Sequence, residues 1–317
     1  MALYSEQFLD LIKEKLGPAQ VALQTKLQGH GVTDTRICDT ITSVGILYRY
    51  LTAAREFQGA LPIDTILGQH PEDNKPVFRF FLDNMAMPSA IVPEDSLPMP
   101  SLVGLMAQQL KIPDDSTESF RILELGTRSG YTNTILRAIS GDAIIQSCGF
   151  YEFGGATVQE NLEINEIILA NVKSAQLAVS MLVSEYFPLA QGLGATANDN
   201  FSAVPPLEFV QGLLPTDKFD RIIINGAIPP ELMSPIFDRC LKDDGIAVFP
   251  AWKDDKSIHN QRLYQFKMKE YTARTFGPPV AFEVLNLKGG EGFILRPVDR
   301  IQAPSGGATP PIWTPGI

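Results

Sequence analysis

The chain has 317 residues, 44% of them hydrophobic, enough for one large domain or a domain with an extension. Acidic residues outnumber basic ones 36 to 26, for a formal charge of −10, which argues against a broad nucleic-acid surface. No apolar run reaches the roughly 18 residues of a membrane span, and the start lacks the basic and apolar regions of a secretory signal, so a cytoplasmic protein without membrane contact is expected.

Taken in order, Tyr4, Phe8, Ile12 and Leu16 repeat every four residues until Gly17-Pro18 stops the pattern, which predicts an amphipathic helix. A second helix is predicted over Val21–Gln28, with Leu23 and Leu27 on one face. After a turn at residues 29–34, Asp34 or Thr33 caps a third, carrying Ile37, Ile41 and Val44. Tyr48–Phe57 continues helically. Residues 59–75 are rich in turn formers, and Val77–Leu82 is a short apolar segment. Residues 1–90 thus form a mostly helical region, a cap over a site or an interaction module.

Four prolines make residues 88–100 a stiff connector. Leu102, Leu105, Met106 and Leu110 predict the next helix. Ile122, Leu123 and Leu125 then form a strand running into a tight loop, Gly126 to Gly130, and a helix follows with Ile135, Leu136 and Ile139. A second strand falls within Ala143–Tyr151 and ends in Glu152. Helix is expected over Val158–Ile168 and again over Leu177–Phe187, before a Gly/Ala/Asn-rich loop around 192–202. Leu207–Gln211 reads as a third strand, Asp220–Ile224 as a fourth, Leu232–Leu241 as a helix, residues 243–245 as a turn and Ile246–Pro250 as a fifth strand. Arg262–Lys269, Tyr271–Phe276 and Val284–Leu287 read as antiparallel strands, and the Pro/Gly-rich tail 301–317 as flexible. Strands alternating with helices predict an α/β fold with a doubly wound sheet over residues 91–300.

A strand, a glycine loop and a helix start bring backbone N–H groups close to a ligand. Glu152, 22 positions after Gly130, is placed to accept ribose hydroxyls. The loop lacks the extra glycine that a pyrophosphate requires, and Glu124 just before it would be a poor phosphate neighbour. Glu124 instead suits the ammonium of S-adenosyl-L-methionine, the cofactor these residues favour over a dinucleotide. The cofactor-binding candidates are Glu124, Gly126, Thr127, Ser129, Gly130, Tyr131, Glu152, Gly212, Leu213 and Asn225. Cys38, Cys148 and Cys240 show no metal or disulfide spacing and are read as reduced, partly buried thiols, whereas His30, His70 and His259, belonging to no constellation, are read as surface residues.

Glu124 to Tyr131 resembles the glycine loop of protein-L-isoaspartate O-methyltransferases. Gly31 to Ile37, Ser96-Leu-Pro-Met-Pro100, Phe219 to Pro229, Gly245 to Pro250, Gln261 to Tyr264 and Pro279 to Phe282 agree with further family stretches in the same order, over roughly residues 25–292. The resemblance implies a Rossmann-like class I methyltransferase sheet with a helical N-terminal extension. The implied activity is S-adenosylmethionine-dependent O-methylation of a peptide or protein carboxylate, with no general base. Ser96, Pro98, Met99, Pro100, Arg128, Ala227, Ile228 and Pro229 are the implied substrate-binding residues. Arg128 stands where the family has glycine, Pro98 stands where it has serine (Ser96 and Ser101 are the neighbouring hydroxyls), and Gly212-Leu213 stands for its Gly-Asp. These departures point to a divergent enzyme for a dedicated peptide, ahead of isoaspartate repair or a non-catalytic scaffold.

Overall fold

Alternation of buried side chains along parallel strands builds this molecule in three layers. The computed structural model describes residues 20–49, 52, 84, 86–88, 96–127, 129–151, 156–186, 200–228, 232–252 and 261–280. The elements expected over Tyr4–Leu16, most of 50–83 and Val284–Leu287, and the tail 301–317, lie outside them. Residues 20–29 (α1) lead through a turn to α2 (Thr35–Thr40), where Asp34 Oδ1 caps the N–H of Ile37. Helix α2 runs on through a π-helical stretch, Ile41–Gly45, to residue 49. At the start of the expected connector, β1 (Met87–Pro88) pairs antiparallel with β2 (Ser96–Leu97) inside it. Then come α3 (Pro100–Leu110), β3 (Arg121–Leu125), α4 (Tyr131–Ile139), β4 (Ile144–Cys148), α5 (Val158–Tyr186), β5 (Asn200–Ser202), α6 (Pro206–Gly212), β6 (Phe219–Ile224), α7 (Met233–Cys240), β7 (Leu241–Trp252), β8 (Gln261–Lys267) and β9 (Thr272–Val280).

The main sheet has the order β5-β4-β3-β6-β7-β8-β9. Its first five strands are parallel, and β8 and β9 are antiparallel. On β3, Ile122 packs into one core with α1 to α5, and Leu123 and Leu125 into the other with α6 and α7. Strands buried on both faces carry near-continuous apolar runs, as β3 and β6 do. Residues 20–49 therefore share a hydrophobic core with the sheet. The chain winds outward from β3 to β5, then returns to place β6 against the other side of β3. Strand order reverses there, and ligands of open α/β sheets bind at that crevice.

Three expectations are corrected. Leu207–Gln211 is not a strand but most of α6, with Pro206 at its first helical position and Leu207 and Val210 buried on one side. The third strand in chain order is instead the three-residue β5, within the stretch expected to be loop. The two helical segments expected around residues 158–187 are one 29-residue helix, α5. Its buried stripe continues through Asn161, Asn165, Val172, Gln176, Val179 and Val183, and the polar members interrupt the apolar pattern. Thr157 and Glu160 start it with a reciprocal capping box. The turn expected at 243–245 is absorbed into β7, where its register against β6 shifts.

Among the described residues no helix is long and apolar enough to cross a membrane, and no group of His, Cys, Asp and Glu could hold a metal ion. All three cysteines are free and buried, and burial raises each thiol's pKa.

Candidate cofactor and acceptor site

Strand β3 ends by presenting Glu124, 1% exposed, at the crevice. Its Oε2 accepts from Thr127 Oγ1 at 2.7 Å and Ser147 Oγ at 2.8 Å, and its Oε1 accepts from Asn225 Nδ2 at 2.6 Å. The chain of donors extends further. Asn133 Nδ2 donates to Ser147 Oγ, and Gln176 Nε2 donates to Asn133 Oδ1 at 2.6 Å. Helices α4 and α5 and strands β4 and β6 thus converge on one carboxylate. Burial raises its pKa, and hydrogen bonding from Thr127, Ser147, Asn133 and Asn225 pulls the other way. Among the described residues, no cationic side chain hydrogen-bonds to it or forms an ion pair with it.

The glycine loop is fixed from two sides. The N–H groups of Gly126 and Thr127 both donate to Cys148 O at 2.9 Å. Gly149, next in the chain, lies so close that a Cβ there would stand 1.9 Å from Thr127 O. Gly130 adopts φ +78° and caps α4, and a Cβ on it would meet Val172 Cγ1 at 2.4 Å. From the N-terminal region, Tyr48 Oη donates to Ser129 O at 2.6 Å. Buried Arg49 donates to Pro98 O at 3.1 Å and lies 5.8 Å from the centroid of the Tyr131 ring. Burial pushes the Tyr131 phenol up to about 12, opposed by the charge of Arg49. Tyr48→Phe should cost about 1–2 kcal/mol, the usual penalty for stranding a buried hydrogen-bond partner, as read from urea unfolding.

These elements enclose a cavity of about 580 Å³. Glu124, Ser129, Gly130, Tyr131, Thr132 and Asn225 line its sheet end. Pro98, Met99, Ser101, Leu102, Leu105 and Met106 line it along the start of α3, with His30 and Pro278–Val280 completing the wall. Helix α4 begins there, and its first-turn N–H groups have no intrahelical acceptor.

Of the residues singled out in the sequence, Glu124, Ser129, Gly130, Tyr131, Asn225, Pro98 and Met99 come together around this cavity, with Gly126 and Thr127 in the loop behind them. Pro100 is the buried first residue of α3 and does not line it. Gly212 and Leu213 do not line it either. They close α6, because the strand whose end they were to mark is a helix. Ala227 and Ile228 are fully buried instead of lining the cavity, because the chain after β6 turns inward and Ile228 bridges to Ala251. Ser96 sits in β2, with its side chain outside the description, and Arg128, Glu152 and Pro229 lie outside the described residues. His30, expected at the surface, is exposed and also lines the cavity. Ser147, Asn133, Gln176 and Gly149 were not anticipated. Their signal was local and weak: a serine inside a buried strand, two amides on apolar helix faces and a glycine closing a strand.

No family profile and no curated protein sequence matches this chain. Solved structures do. A protein-L-isoaspartate O-methyltransferase superposes with a TM-score of 0.51 at 17% identity, over 86% of this chain and 66% of its own. This is the class I methyltransferase fold. A precorrin-6y C5,15-methyltransferase from Geobacter metallireducens aligns over 49% of this chain and 64% of its own, at 14% identity and a TM-score of 0.33. TrmN from Thermus thermophilus aligns over 51% and 40%, at 16% identity and 0.30. These two superpose too loosely to add to the argument. At 17% identity, and with just under two thirds of the isoaspartate enzyme covered, the first likeness establishes the fold and not the reaction. In this sheet, Glu124 and Asn225 stand at the ends of the two strands that flank the reversal of strand order.

Proposed function

We propose that this chain is an S-adenosylmethionine-dependent O-methyltransferase acting on a peptide or protein carboxylate. One observation supports the cofactor above all. Glu124 is a buried acid on the wall of a cavity, and among the described residues its two oxygens accept hydrogen bonds from neutral donors only. Such an array favours the ionised form, yet burying an unpaired carboxylate is costly. A cationic ligand relieves that cost. Glu124 would hold the ammonium of the methionine part, and the first-turn N–H groups of α4, which lack an intrahelical acceptor, suit its carboxylate. S-adenosylmethionine, when bound, supplies a methyl group on a positively charged sulfur.

The acceptor side supports a nucleophile that needs no deprotonation. Glu124 is occupied as an acceptor, and a substrate carboxylate with pKa ~4 is already ionised at neutral pH. The chain's own part is then to align the reactants and exclude water. A nucleic-acid acceptor is disfavoured, because the described wall carries neither lysine nor arginine.

Incubation with methyl-labelled S-adenosylmethionine and a panel of aspartyl, isoaspartyl and C-terminal peptides tests the reading. The expected product releases its label in mild base, as an ester does, and base-stable label would contradict carboxylate methylation. His30 on the cavity wall favours one second reading, general-base activation of a hydroxyl acceptor. In the carboxylate reading, His30→Asn leaves turnover nearly unchanged. A loss of about a hundredfold or more in kcat, the usual contribution of a general base, would favour the hydroxyl reading.

A further inference from the structure

The cavity is polar at the sheet end and apolar along α3. Met99, Leu102, Leu105, Met106, Pro278 and Val280 form that second half. Leu105 is held between the α1–α2 turn and the end of β9. A Cβ on Gly31 would stand 3.7 Å from one of its methyl groups, and a Cβ on Gly277 would stand 3.4 Å from the other.

The start of α3, which faces the cavity, is closed as an anion seat. Pro100 has no N–H, Ser101 N donates to Asn84 Oδ1 at 2.7 Å, and Leu102 N and Val103 N donate to Met99 O at 3.0 and 3.2 Å. Its backbone donors are therefore spent within the protein. A second charged group packed against Met99, Leu102, Leu105 and Met106 would lose its hydration at considerable cost, and of the described wall only the Ser101 hydroxyl and His30 stand near to receive it. An apolar group would be buried at a gain.

Resting on the methyltransferase reading above, we propose that the acceptor is a peptide carboxylate adjoining a large apolar side chain, which the α3 wall selects. Acidic or strongly polar neighbours are rejected by the same wall.

The test is calorimetry on the full chain saturated with S-adenosylhomocysteine, which leaves the acceptor half open and permits no turnover. Free acids from butanoate to octanoate probe the wall. Short peptides ending in leucine, phenylalanine, serine or aspartate separate a peptide source from a free acid. Affinity should rise about fourfold per added methylene, the factor for burying one CH₂, until the cavity is filled. Peptides ending in leucine or phenylalanine should bind at least tenfold more tightly than those ending in serine or aspartate. Leu102→Gln, at a half-buried position, should flatten the chain-length series and leave S-adenosylhomocysteine affinity unchanged.

Bound S-adenosylhomocysteine with no chain-length dependence, or with equal affinity for the aspartate-ending peptide, would overturn the inference alone. A steep free-acid series with no peptide preference would overturn the peptide assignment. Failure of S-adenosylhomocysteine to bind would overturn the cofactor reading. The same acid series on the free protein would then decide whether the apolar wall selects as described.

Discussion

Glu124→Gln should weaken S-adenosylmethionine binding by about ten- to a hundredfold, the range expected for removing one charge-assisted contact. The amide is nearly isosteric, so the fold should survive. Its carbonyl can keep the bond from Asn225, and its NH₂ can donate to Thr127 and Ser147, whose hydroxyls rotate to accept. Loss of the charge is then what the titration reads.

The pH dependence has a definite sign. Burial raises the pKa of Glu124 in the folded, unliganded protein above that of the unfolded chain. Its contribution to stability is therefore fully present below the unfolded value of ~4.3 and is lost as pH rises through the raised folded value. Scanning calorimetry without ligand should show Glu124→Gln gaining on the wild type as pH increases across that window. A cationic ligand favours the ionised carboxylate, so wild-type cofactor affinity should fall as pH is lowered through the same window. In the variant the affinity should be flat with pH.

Gly149→Ala should destabilise the protein by about 2–4 kcal/mol, in the range of severe overpacking, and should abolish cofactor binding. The added Cβ would lie 1.9 Å from Thr127 O and 2.9 Å from its carbonyl carbon, which are backbone atoms and cannot swing away. The loop after β4 and the glycine loop must separate. That would break the bonds from Gly126 N and Thr127 N to Cys148 O and move Thr127 off Glu124. Urea unfolding and a cofactor titration on the same sample check both parts. A stable variant that binds normally would show that the two loops do not set the site.

What the sequence made legible was local. Gly126 and Gly130 between an apolar strand and a helix marked the loop, and Asp34 marked a helix start that its side chain does cap. The sequence assigns Glu124 to the cofactor from its place before the loop, but does not show it as the centre of a buried network. Its partners lie 3, 23 and 101 residues away in the chain, and only the winding of β4 and β6 against β3 brings the last two in.

The errors have equally physical causes. Five apolar-rich residues, Leu207–Gln211, fit a strand or a helical turn equally well, and Pro205-Pro206 was the overlooked start signal. Strand β5 is short and only half-buried, so it carries no apolar run. Ala227 and Ile228, assigned to substrate from their place after the fourth strand, are buried in the core, where Ile228 bridges to Ala251.

In the proposed function, the cavity beside Glu124 receives a positively charged sulfonium cofactor. Calorimetric titration of the wild-type chain with S-adenosylmethionine at neutral pH tests it most directly. The structure predicts saturable one-to-one binding with a dissociation constant within roughly 1 μM to 1 mM, the usual range for enzyme substrates. Absence of saturable heat at millimolar S-adenosylmethionine, with the protein folded, would contradict it.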